Sequence, residues 1–178
     1  KSLHPGRTVV TCLRGTKRLY DYGDDNPSIY MGPVDYVNDP FIIARNDNLI
    51  SINSCIQVDL QGQVAAESAG LSQISGIGGQ TDFVRGARRS KGGKSIMAIG
   101  STAKRGTVSK IVPFLDEGAA VTTSRTDVDY IVTEYGIAAL RGKSLRQRAS
   151  ALIKVAHPDF RAGLAEEYER RFHCKYED

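Results

Sequence analysis

The stretch Ser75-Gly76-Ile77-Gly78-Gly79-Gln80-Thr81-Asp82-Phe83 is the most unusual chemistry-bearing segment of the chain. Three glycines within four positions let a backbone turn tightly and approach a ligand with no Cβ in between. If a helix begins at Gln80 or Thr81, its unpaired N–H groups and dipole point at whatever sits over the loop. That arrangement suits a phosphate, or an oxyanion developing on an acyl carbon. Spacing alone serves a tight structural loop equally well.

Two carboxylates stand out beside the loop: Glu67 in Ala65-Ala66-Glu67-Ser68, and Glu134 in Val132-Thr133-Glu134-Tyr135-Gly136. Glu134 follows an apolar strand, and α/β sheets place ligands at the C-terminal ends of their strands. Either could act as nucleophile or base, or could bond backbone amides; the structural role is the first expectation for both. The run from Arg85 to Ser95 ends in Gly93-Lys94-Ser95, like the tail of a Walker A loop. That signature needs Gly where Arg88 stands and a helix where an apolar strand follows, so the NTPase reading fails. The basic run reads first as a solvated face.

Cys12, Cys55 and Cys174 have unrelated spacings that make neither a disulfide framework nor a C-x-x-C pair, so a reducing cytoplasm is expected. Cys55, in a strand-like context, reads as a small buried hydrophobe. His4, His157 and His173 are scattered, which gives no metal site. No Ser-His-Asp set has a spacing logic. The net charge of +4 and pI near 9.0 suggest an anionic partner. The tyrosines fall mostly in core-like patterns rather than on a basic face, which argues against nucleic acid.

The elements that must position these residues follow from the apolar patterning. At 178 residues, with 40% apolar and 25% charged residues, the chain is globular and suits one domain, 1–178. No apolar run approaches the roughly 20 residues a bilayer needs. The first residues, Lys1 to Gly6, have no apolar leader and no Met, so the expectation is a chain beginning inside a longer protein. Apolar β-branched runs alternate with helical patterns, predicting an α/β domain with an open, largely parallel sheet flanked by helices. Strands are expected at Thr8–Leu13 (buried), Leu49–Asn53, Cys55–Leu60, Lys94–Gly100, Val108–Pro113, Ala119–Thr123 and Val128–Val132. Helices are expected at Thr16–Tyr22, after Asp39-Pro40, after Ser144 (with Leu145, Ala149, Leu152 and Ile153 inward), and after His157-Pro158. Residues 62–94 read as a loop-rich centre.

Taken together, the motifs resemble the C-terminal domain of the acetyl-CoA hydrolase and CoA-transferase family, in its 4-hydroxybutyrate and butyrate CoA-transferase branch. The matching stretches are Pro33 to Pro40, Ser51 to Ser54 with Gln57 to Leu60, Ser75 to Phe83 and Val108 to Phe114. Thr122 to Arg125, Val132 to Ala138, Leu145 to Ala149 and His157 to Phe160 complete the set, in the family's order. The resemblance implies a class I CoA-transferase-like fold and ping-pong transfer of coenzyme A, with no metal. A glutamate would pass through an acyl anhydride and a glutamyl-CoA thioester, which conserves the thioester's energy. Carried over by position, Gly79 would contact CoA in a Gly-Gly-Gln loop flanked by Gly78 and Gln80. Ile56 would line the CoA site, Lys104 would bind the cofactor, and Glu134 would orient or support.

The resemblance also implies that the nucleophilic glutamate lies upstream of Lys1, so no catalytic residue is assigned within the chain. The implied partners are acyl-CoA, short carboxylates and the N-terminal domain of the same polypeptide, in a homo-oligomer, with neither membrane nor nucleic acid. Absence of that domain should leave an apolar face exposed and the chain prone to self-association. Two other readings remain: an acyl-CoA hydrolase of the same fold, and a non-catalytic nucleotide- or RNA-binding module using Arg85 to Lys94.

Overall fold

A computed structural model describes residues 1–177. A peripheral parallel pair opens the chain, β1 (Thr8–Val10) beside β2 (Ile29–Met31), with α1 (Lys17–Gly23) between them. The expected buried strand at Thr8–Leu13 is therefore short and only partly covered, because a two-stranded ribbon has no second layer. Next come α2 (Val34–Val37) and α3 (Pro40–Ile43). Asp39 caps α3 as anticipated, accepting from the Phe41 and Ile42 amides, with Pro40 in the first turn.

The main sheet runs β13-β12-β8-β3, built from β3 (Ile50–Asn53), β8 (Lys94–Ala98), β12 (Tyr130–Thr133) and β13 (Gly136–Ala139). β3, β8 and β12 are mutually parallel, and β13 returns antiparallel at the edge. Between β3 and β8 the chain forms β4 (Gln57–Asp59), β5 (Val64–Ala65), the hairpin β6 (Ser68–Ala69) with β7 (Ser72–Gln73), and α4 (Gln80–Arg89). After β8 follow the hairpin β9 (Thr102–Ala103) with β10 (Val108–Ser109), and β11 (Ile111–Val112), which pairs parallel with β4. The mixed α/β architecture agrees with the patterning. Two details differ. Residues 62–94 contain the ten-residue helix α4, and 119–123 contribute only an isolated bridge, Val64 to Thr123, in place of a strand.

The chain ends with α5 (Leu145–Lys154) and α6 (Pro158–Phe172). Ser144 and Gln147 form a reciprocal capping box, and His157 caps α6 ahead of Pro158. The inward face of α5 differs from the spacing: Leu145 is exposed, and Arg148 is buried with Ala149, Leu152 and Ile153. Tyr168 is buried, Tyr30, Tyr36, Tyr130 and Tyr176 are half-buried, and Tyr20, Tyr22 and Tyr135 are exposed, so the core-like reading of the aromatics holds only in part.

The core gathers Met97 and Ile131 from the main sheet, Val58, Leu60, Val64 and Ile111 from the smaller one, Val84 from α4, and Leu152 and Ile153 from α5. Successive strand residues face opposite ways, so Ser95, Met97, Ile131 and Ala138 are buried beneath one face. The other face carries Ile50, Ile52, Ile96, Ala98, Tyr130, Val132 and Ile137, none of them buried. Among the described residues no helix is long and apolar enough to cross a membrane.

Candidate active-site edge

The three parallel strands end together at Asn53, Ala98 and Thr133, and the segments leaving them carry the candidate residues. Helix α4 leads back into β8, so its N-terminus lies at this same edge. The Gln80 side chain confirms the placement, lying 3.7 Å from Met97 Sδ near the end of β8. Gly78 takes φ +58°, and a Cβ there would meet nothing within 4 Å; its surface is open. Gly79 occupies the N-cap position with no side-chain cap on α4, and a Cβ there would strike the Asn38 amide. The open helix N-terminus anticipated over the Gly-rich loop is thus present. Its dipole favours an anion or a developing oxyanion at this point.

Gln80 has a different local task. Its Nε2 donates to Thr123 Oγ1 at 3.0 Å, while Thr81 Oγ1 donates to the Thr122 carbonyl at 2.9 Å. These two bonds tie the first turn of α4 to the segment 122–123. Ile56, half-buried just beyond β3, donates its amide to the Ala65 carbonyl at 2.8 Å. Lys104 sits in the tip of the β9–β10 hairpin, where Lys104, Arg105 and Gly106 all have positive φ. That tip is exposed and follows directly from the end of β8.

Glu134 is clasped at the end of β12. Its carboxylate accepts from the Ser101 amide at 2.9 Å and from Ser101 Oγ at 2.5 Å. The Ser101 hydroxyl, helped by backbone amides, holds the Glu134 carboxyl below its ordinary value of 4.5 against an opposing effect of burial, with a lesser contribution from nearby His157. The carboxylate is thus held in place by Ser101. Because the folded-state pKa is depressed, the stabilisation is present above the ordinary glutamate value and is lost as pH falls through the lowered one. In Ser101→Ala the Glu134 pKa should climb back toward its ordinary value. NMR titration of the side-chain carboxyl reads this directly, and an unchanged titration would show that the clasp is not its cause.

Glu67 is placed differently. Its carbonyl accepts from the Ile74 and Ser75 amides at 2.8 and 3.1 Å, anchoring the start of the Gly-rich loop, and its Oε2 is buried without a hydrogen-bond partner. Cys55 is buried, and burial pushes its thiol up to about 12 despite Lys110, which makes it inert. Among the described residues no group of three or more His, Cys, Asp and Glu gathers as a metal site.

The basic run lies at the opposite edge of the sheet. Arg88 and Arg89 fill the last turn of α4, where they complement its dipole; Arg85 pairs with Asp127 at 3.2 Å, and Arg89 lies over the Phe41 ring. Sequence reasoning missed Arg148. Its Nε, Nη1 and Nη2 donate to the carbonyls of Gln61, Leu140 and Arg125 at 2.7, 2.8 and 2.7 Å. Burial, with Arg125 and Arg88 nearby, lowers its pKa against a modest opposing effect of Asp59. Gly62, at φ +84°, leaves room for it: a Cβ there would lie 2.5 Å from Arg148 Nη2. No local signal joins Gly62 to Arg148, which stand 86 residues apart.

The sequence from 15 to 168 matches the family model described as acetyl-CoA hydrolase/transferase C-terminal domain. The chain is 63% identical over 172 residues to a 4-hydroxybutyrate coenzyme A transferase of Clostridium kluyveri, covering 97% of this chain and 40% of that protein. It is 56% identical to a succinyl-CoA:cyclohexane-1-carboxylate CoA transferase of Geobacter metallireducens, covering 96% and 39% respectively. The crystal structure of RipA from Yersinia pestis superposes with a TM-score of 0.89 at 50% identity, over 97% of this chain and 39% of that one. The chain thus spans about two fifths of the length of the relatives it matches.

Proposed function

Since the chain belongs to the acetyl-CoA hydrolase/transferase family, as its C-terminal domain, we propose that it forms one wall of a CoA-transferase active site. The enzyme moves coenzyme A between an acyl-CoA, of the 4-hydroxybutyryl or butyryl class, and acetate. The observation that carries this reading is the convergence at one sheet edge of the open α4 N-terminus with Gly78 and Gly79, the Lys104 hairpin and the clasped Glu134. Lys104 supplies a cation for the cofactor's phosphates, Ile56 lines its path, and Gln80 holds the loop in place.

The nucleophile comes from polypeptide preceding Lys1 in the intact enzyme. Its carboxylate attacks the thioester carbon, releasing CoA thiolate and leaving an acyl-glutamyl anhydride. The thiolate attacks the glutamyl carbonyl, releasing the first carboxylate and forming glutamyl-CoA. The acceptor carboxylate then attacks that thioester, and the returning thiolate takes the acceptor's acyl group, restoring the glutamate. Each attack builds an oxyanion that amides at the α4 N-terminus can hold. The intact enzyme works as a homo-oligomer in a reducing cytoplasm, where unpaired cysteines persist.

The test is acyl transfer from butyryl-CoA to acetate. We expect no turnover by the 178-residue chain. The same residues grafted into the C. kluyveri relative, in place of its matching region, should restore turnover. Turnover by the chain alone would make Glu67 or Glu134 the nucleophile. Thioester cleavage that proceeds without acetate would indicate a hydrolase.

A further inference from the structure

We infer that the open face of β3-β8-β12-β13 is the docking surface for the polypeptide that the longer family members carry ahead of this C-terminal domain. The inference rests on the reading above, that the chain is one part of a longer enzyme.

The register makes the face continuous. Ile52, Ile96, Tyr130 and Ala139 form one cross-strand row; Ile50 and Lys94 lie on one side of it, and Ala98, Val132 and Ile137 on the other. Ile50, Ile52 and Ile137 are 55%, 67% and 68% exposed, whereas their neighbours one residue along, Ser51 and Ala138, are buried. Lys94, at a corner, is the single charge in these rows. Parallel strands need both faces covered, since crossover connections place helices on them. Here α4 sits on the buried face, and the passage from β8 to β12 contains no helix. A covering layer must come from elsewhere.

Size decides between occupants. Four strands about 4.8 Å apart and four residues of about 3.3 Å rise give roughly 19 by 13 Å, about 250 Å² in projection. Stable association of separate molecules needs about 800 Å² on each partner, so a second copy seated here alone would be weakly held. A tethered layer avoids most of the entropy cost of association, so a patch of this size suffices for it. The relatives supply the tether: about three fifths of their length lies outside the matched region.

The experiment places single cysteines at Ile52→Cys and Ile137→Cys, with Glu166→Cys as an exposed control, in a Cys12→Ser, Cys174→Ser background. Cys55 stays silent because burial suppresses its thiolate. Maleimide labelling is compared between the chain alone and the C. kluyveri graft. We expect labelling at 52 and 137 to slow by about a hundredfold in the graft, as for a side chain exposed only by opening of a packed layer, with the control unchanged. Equal rates in both contexts overturn the inference. Slow labelling with a doubled mass by light scattering both in the chain alone and in the graft overturns it in favour of a second copy. A graft that protects both cysteines but transfers no CoA supports the docking face and refutes the transferase reading; active but unprotected grafts do the reverse. If the graft does not fold, cysteines at the matching positions of the unaltered relative give the same outcomes.

Discussion

Replacing Arg148 with Met should lower the stability of the domain by about 3 kcal/mol, an effect larger than that of most single substitutions. All three guanidinium nitrogens donate to main-chain carbonyls from three separate segments, and the side chain is 6% exposed. A buried carbonyl deprived of its donor costs about 1–3 kcal/mol; those of Gln61 and Arg125 lose theirs, while that of Leu140 keeps the Lys143 amide at 3.3 Å. The loops carrying Gln61 and Arg125 reach the surface and can partly rehydrate, which holds the sum near the lower end. Met fills a similar volume, so the loss reads the hydrogen bonds more than a cavity. With a urea slope of about 2 kcal/mol/M, the unfolding midpoint should fall by about 1.5 M. Arg148→Lys, with one nitrogen for three acceptors, should recover less than half. A shift under about 0.3 M for Met would mean that the three carbonyls find other partners.

The second large effect is functional. Gly78→Ala in the full-length graft should cut kcat/KM for butyryl-CoA by about a hundredfold, the scale on which misplacing a reacting group by about 1 Å acts. Its structural cost is bounded. The added methyl meets nothing within 4 Å, leaving only the left-handed backbone at φ +58°, about 1 kcal/mol for a residue with a Cβ. A variant folding within about 1 kcal/mol of the parent but transferring CoA poorly places a ligand over the loop. Full activity would place the ligand away from it. Gly79→Ala discriminates less well, since its methyl displaces Asn38 and confounds the two effects.

Much of the fold was legible wherever local chemistry fixes an end. Asp39-Pro40, Ser144 with Gln147, and His157-Pro158 each mark a helix start that the structure uses. Parallel strands rich in Val and Ile were legible for the same reason, since burial on one face demands them. Helix α4 was legible only as a conditional start at Gln80 or Thr81; its ten-residue run was hidden by a polar composition and by Gly86, a poor helix former. Gly86 is there because a Cβ would collide with Ile43 of α3. Arg148 was hidden because periodicity assigns basic residues to solvent, while three carbonyls from distant segments make a buried polar socket that no window along the chain contains. Residues 119–123 resemble a strand in composition, yet only Thr123 finds a bridge partner. Within the candidate site, the glycines were legible as backbone requirements. The engagement of Gln80 with Thr123 and of Glu134 with Ser101 depends on contacts 43 and 33 residues apart, which spacing cannot reveal.

The Glu134–Ser101 clasp also bears on how such a site can diversify. It joins the ends of β8 and β12 to each other, so the hairpin beginning at Thr102 starts from a fixed base. Beyond that base the tip at 104–106 packs on little; a Cβ at Gly106 would touch nothing within 4 Å. Frame and fingertip are therefore separable. Mutational drift can rewrite the tip while the strand ends beneath it stay aligned.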